Sequence, residues 1–156
     1  MNREEKKAAK RAEIIKKSLK LFEKQGYEAT TTAEIAAACN IAKKTLFQYF
    51  PTKSDIVFEN EGELLAELLT LPADWPAIKA HLARFDGDSG NPLPSLILNT
   101  PELTLRLLQM WRTYETQIAE HFGSDLVAEV LAARVVLALR LCFENRRAMK
   151  DVIEVV

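Results

Sequence analysis

Glycine and proline are scarce here: 5 and 6 in 156 residues. An all-β sandwich or barrel needs turn residues about every 8–12 positions, so that scarcity argues for helices. There are only two cysteines, Cys39 and Cys142, with no motif spacing. They offer no disulfide framework and read as small buried hydrophobes of a cytoplasmic protein. The two histidines, His81 and His121, lie far apart with no cysteine or carboxylate at ligand spacing, so no metal is expected. No apolar run approaches the ~20 residues of a membrane span. The opening stretch MNREEKKAAKR has charge but no apolar segment, so neither a membrane partner nor a secretory signal is expected. There is no nucleophile–base pair and no phosphate loop, so the chain does not read as an enzyme and no cofactor is expected.

What is present is charge, unevenly spread. The net charge of −1 conceals 12 Lys and Arg against 8 Asp and Glu in residues 1–60, and 9 against 14 in residues 61–156. A polyanionic partner would therefore dock at the N-terminal end.

Periodicity predicts helix almost throughout. Ala8, Ala12, Ile15, Leu19 and Phe22 recur at spacings of four and three, giving one amphipathic helix over about residues 4–24 that Gly26 stops. Thr31 and Glu34 form a capping box for a short helix over 32–38, with Ile35 and Ala36 apolar. Asn40 sits where a tight turn needs a residue tolerant of the left-handed conformation. A third helix over 42–49 ends before Pro51. Thr52 or Ser54 then caps a long fourth helix over 53–71, carrying Ile56, Leu64, Leu65, Leu68 and Leu69. Further helices are expected over 75–85, near Leu96, over 101–121 and over 124–147, with Gly123 as stop and Ser124 as cap. Residues 86–94, DGDSGNPLP, are the strongest loop signal.

Two short helices joined by a turn, after a longer supporting helix, describe a helix-turn-helix. On a wheel of the third helix, Ala42, Leu46, Tyr49 and Phe50 share the core side, and Lys43, Lys44, Thr45, Phe47 and Gln48 face outward. Ammonium groups suit phosphates or guanine, an amide suits adenine, and a ring or methyl suits the thymine methyl. The bland reading is a solvated face, with Phe47 covering a neighbouring helix.

The order of residues in YEATTTAEIAAACNIAKKTLFQYFPTKSDIV resembles the DNA-binding domain of TetR-family transcriptional regulators. The Thr cap, the Ile-Ala pair, the turn, the aromatic run and the final lysine all match in spacing, over about residues 10–58. The resemblance implies an all-α homodimer. A three-helix helix-turn-helix domain (residues 1–52) would be followed by a helical ligand-binding and dimerisation domain (53–156), shorter than usual for the family. It implies that Thr31 caps the second helix and that Thr32 reaches the DNA backbone. Lys43, Lys44 and Thr45 would make base and phosphate contacts, Phe47 and Tyr49 would occupy the aromatic contact positions, and Lys53 would meet a phosphate; the wheel adds Gln48 to the DNA-binding residues. Phe47 stands where the family has Tyr, Asn40 where it has Gly, Lys44 where a small residue is usual, and Ala33 where an Arg is frequent.

In the C-terminal part, Val127, Val130, Leu131, Val135, Leu137, Ala138, Leu141 and Cys142 make a stripe wider than one partner needs. Of these, Val127, Val130, Leu131, Val135, Ala138, Leu141 and Cys142 are the expected dimer residues. The other reading is the central helix of a monomeric bundle. Only AMKDVIEVV follows Arg147, so a second dimer helix is either very short or absent from this chain, leaving the helix at 101–121 as a substitute. Trp75, Phe85, Leu107, Met110, Trp111 and Tyr114 are candidates to line a site for a small apolar or aromatic effector; plain core is the other reading. The expected function is a repressor released from its double-stranded operator when an effector shifts the spacing of the two recognition helices. The alternative is a DNA-binding dimer without an effector, its C-terminal domain serving dimerisation or a protein partner.

Overall fold

The computed structural model describes residues 2–85, 91–145 and 147–156, and all regular structure among them is helical. The chain divides into two compact units, Met1–Glu59 and Asn60–Val156.

The first unit holds α1 (Arg3–Gln25), α2 (Thr32–Ala38), α3 (Lys43–Tyr49) and α4 (Ser54–Val57). Asn2 starts α1 through a reciprocal capping box with Glu5, and Gly26 ends it at φ 88°, where a side chain would be strained. The buried stripe of α1 is Ile14, Ser18 and Phe22. Phe22 is buried as expected, but the rest of the stripe lies one position earlier than expected: Ile15 and Leu19 are half-buried, and Ala8 and Ala12 are exposed. The reason is that α1 packs on α2 and α4, while residues 2–9 stay exposed throughout. The Thr31–Glu34 capping box and the left-handed Asn40 (φ 56°) are present as the sequence predicts. Phe50, extended at φ −139°, ends α3 before Pro51. Thr52 is the residue that caps α4: its amide donates to the Asp55 carboxylate at 2.8 Å, and its hydroxyl accepts from the Asp55 amide at 3.3 Å.

The single fourth helix expected over 53–71 is two helices. A turn at 58–60 separates α4 from α5 (Glu61–Leu68). Ile56, Val57 and Phe58 are all buried. Three consecutive residues at 100° each span too wide an arc for one packed face, and Asn60 and Gly62 are poor helix formers.

The second unit continues with α6 (Trp75–Leu82), α7 (Leu93–Leu98), α8 (Pro101–Phe122), α9 (Leu126–Asn145) and α10 (Met149–Val152). Asp74 caps α6 by accepting from the Ala77 amide at 3.0 Å. Phe85 lies beyond α6, in a turn closed by its amide on the Leu82 carbonyl. Of the expected loop, residues 86–90 lie outside the described ones, and α7 begins at Leu93, inside the stretch read as loop. Ser124 does not cap α9. It is left-handed at φ 58°, part of the stop with Gly123, and Asp125 accepts from the Ala128 amide at 2.8 Å in its place. The heaviest packing in the unit is α8 against α9, and α10 folds back on α9 through Met149 and Val152.

Candidate nucleic-acid interface

The C-terminal carbonyls of a helix lack intrahelical partners and carry the negative end of its dipole. Both α2 and α3 have those ends held by cations from α1. Lys17 donates to the Ala38 carbonyl at 2.7 Å, and Lys10 to the Cys39 carbonyl at 3.4 Å. Arg11 donates to the Tyr49 carbonyl at 3.2 Å, and its guanidinium lies 4.3 Å from the Phe50 ring centre. Glu13 lies between the lysines, 2.6 Å from Lys10 and 2.7 Å from Lys17. The hydrogen bond from Lys10, then that from Lys17, lowers the Glu13 carboxyl to about 2. Its contribution to stability is complete above its ordinary value of about 4.5 and fades as pH falls from there towards 2. Urea midpoints measured across that window are expected to fall with acid more steeply in wild type than in Glu13→Gln. Parallel curves would remove Glu13 from the account.

On the other side, Lys53 donates to the carbonyls of Tyr27 at 2.7 Å and Thr30 at 3.0 Å, 4.1 Å from the Tyr27 ring centre. The ammonium that the sequence suggested for a phosphate is thus engaged within the unit, tying down the link between α1 and α2.

So anchored, α3 buries Leu46 and Phe50 and leaves Lys43, Lys44 and Gln48 exposed. Phe47 is 41% exposed, with the Lys43 ammonium 5.7 Å from its ring. Thr45 and Tyr49 are half-buried. Ala42, assigned to the core side by the wheel, is the exposed N-cap of α3, because the helix begins only at Lys43. Thr31 is exposed with its hydroxyl occupied in the capping box, and Thr32 is half-buried in the first turn of α2. Two ammonium groups, an amide and a ring on one convex helix face can meet both phosphates and base edges.

Sequence reasoning missed a cleft of about 550 Å³ between the first two turns of α1 and the side of α3, lined by Arg3, Glu4, Lys6, Lys7, Lys10, Thr45, Gln48 and Tyr49. The signal was there: positions 3, 6, 7 and 10 are basic at helical spacing, a stripe on one face.

In the second unit the expected dimer residues separate. Val127 (67% exposed) and Val130 are uncovered, Leu131, Val135 and Ala138 are buried within the unit, and Leu141 and Cys142 are half-buried. Leu105 and Leu108 of α8 and Leu126 and Leu137 of α9 are exposed apolar residues that the sequence did not single out as dimer residues. Of the effector candidates, Leu107, Met110, Trp111 and Tyr114 share the buried face of α8, and the Tyr114 hydroxyl donates to the Glu61 carbonyl. Trp75 and Phe85 are half-buried elsewhere, Trp75 under the Arg134 guanidinium at 3.8 Å and Phe85 against the His81 ring. A groove of about 590 Å³ runs between α8 and α9, with Trp111 in its lining. Cys39 is buried and Cys142 half-buried, both as free thiols pushed up by burial. Among the described residues no cluster of His, Cys, Asp and Glu could hold a metal ion, and no helix is long and apolar enough to cross a membrane.

A short α2, a left-handed turn and an α3 with an uncovered basic and aromatic face define a helix-turn-helix unit of the nucleic-acid-reading class. Residues 14–59, within this unit, match the family model for bacterial regulatory proteins of the tetR family, the family that the sequence resembles. It is 42% identical over 48 residues to the uncharacterized HTH-type transcriptional regulator YerO of Bacillus subtilis (strain 168), an alignment covering 31% of this chain and 17% of that one. It is 37% identical over 79 residues to the HTH-type transcriptional regulator TcmR of Streptomyces glaucescens, covering 48% and 35%. The chain thus spans well under half the length of these curated relatives. A crystal structure of a transcriptional regulator of the TetR/AcrR family from Thermobifida fusca YX-ER1 aligns over 92% of each chain, at 22% identity and a TM-score of 0.49.

Proposed function

We propose that this protein is a DNA-binding transcriptional regulator that reads an operator as a homodimer, a repressor released by a small apolar or aromatic effector. The observation that carries the DNA reading is the face of α3: Lys43, Lys44, Phe47 and Gln48 are uncovered on a helix whose opposite side is fixed by Leu46, Phe50 and Arg11. Lys43, Lys44 and Gln48 reach phosphates and base edges, Thr45 and Tyr49 flank them, and Phe47 offers a ring to a thymine methyl. Thr31 and Thr32 approach the backbone from α2. Lys53 acts here as a positioning residue, holding the link that presents those threonines. Selection from a random pool of duplexes tests the reading. Enrichment of inverted half-sites about one helical turn apart is expected. A pool that stays random, with no retarded complex at low salt, would sink it.

The dimer reading is supported by the exposed apolar residues of α8 and α9, whose number suits a covered surface. Val130→Arg with Leu137→Arg is expected to weaken self-association by roughly 1–2 kcal/mol, about five- to thirtyfold in Kd. Light scattering over a dilution series reads it, and an unchanged mass at every concentration would count against this face. The effector reading is supported by the Trp111 indole N–H, which is buried and has no acceptor among the described residues. A ligand carbonyl or carboxylate would supply one. Compounds that raise the melting temperature of wild type and release its DNA, but do neither with Trp111→Phe, are the expected outcome.

A further inference from the structure

We infer that the first turns of α1 form a second contact with the duplex, gripping the phosphodiester strand that runs beside the recognition helix. This rests on the DNA reading above and extends the interface beyond α2 and α3. Arg3, Lys6 and Lys7 are exposed and line the cleft opposite Thr45, Gln48 and Tyr49. No ion pair to another described residue occupies any of the three cations, unlike Lys10 and Lys17, which Glu13 and the α2 carbonyls hold. Glu4 is the lone carboxylate in the lining. The other wall supplies a hydroxyl, an amide and a phenol, all neutral donors at the edge of the reading face. Such a cleft suits a chain of evenly spaced monoanions better than a base edge, because flexible ammonium groups neutralise phosphates without reading sequence. A strand lying in it would pass directly from the α1 cations to Gln48 and Thr45, so one continuous backbone segment satisfies both walls.

The test is the salt dependence of duplex binding by the full chain, measured by fluorescence anisotropy on a random-sequence duplex and on any selected duplex. Replacing Arg3, Lys6 and Lys7 by alanine is expected to flatten the slope of log K against log salt by about 2 to 3 per bound protomer. Base preference on the selected duplex is expected to stay the same. The control removes three other exposed α1 lysines, Lys16, Lys20 and Lys24, and is expected to keep the wild-type slope. A glutamine version of the first triple guards against a change in helix content, with circular dichroism read on all variants. Wild-type binding with an unchanged slope in the first triple overturns this inference and leaves the α3 reading standing. So does an equal flattening in the control, which would mean a diffuse charge effect. A wild type that binds neither duplex overturns both readings.

Discussion

Replacing Lys43 and Lys44 together by alanine is expected to weaken binding to the selected operator by about 2–6 kcal/mol, from roughly thirtyfold to twenty-thousandfold. Each residue is exposed, opens α3 and has no carboxylate partner among the described residues, so neither loss disturbs the fold directly. Helix content and melting temperature are therefore expected to match wild type. The single variants divide the roles. The lysine that donates to a base changes which substituted operators are tolerated, and the one on a phosphate weakens all duplexes alike and flattens the salt slope by about 1. A double variant within twofold of wild type would remove α3 as the reading element.

The second large effect belongs to Lys53. Its ammonium satisfies two carbonyls and lies on a buried ring, so Lys53→Met removes two charge-assisted hydrogen bonds, one to the Thr30 carbonyl and one to the Tyr27 carbonyl, which then keeps its bond from the Thr30 amide. The expected cost is about 1.5–3 kcal/mol of stability, read as a lower urea midpoint. DNA affinity is expected to drop as the link before α2 loosens, with the salt slope unchanged. The opposite pattern, a flatter slope at unaltered stability, would place Lys53 on a phosphate after all.

Those two lysine sites show where sequence was informative. Gly26, the Thr31–Glu34 pair, Asn40 and Pro51 act through local backbone chemistry, and each stands where it was expected. Lys53 is chemically the same whether it meets a phosphate or a carbonyl, and only the folded neighbourhood of Tyr27 and Thr30 decides. The register of α1 shifted for a similar reason: periodicity marks an apolar side but not how far the neighbours reach along it. In α9, Val130 and Val135 are the same residue type, one exposed and one buried, because only Val135 faces the packed side of its unit. The break at 58–60 was masked by continuous apolar spacing on both sides of it.

The caps supplied by α1 bear on how portable the reading surface is. The recognition helix is seven residues long, well below the ~12–15 at which an isolated helix holds in water. Its N-cap contributes no side-chain hydrogen bond, and the carbonyl of its last residue rests on a guanidinium 38 positions away in sequence. As a free peptide, Lys43–Tyr49 carries the proposed contact residues without the shape. A specificity transplant into another scaffold is therefore expected to need Arg11, or an equivalent cation at the same place, along with the six residues of α3 proposed to contact DNA.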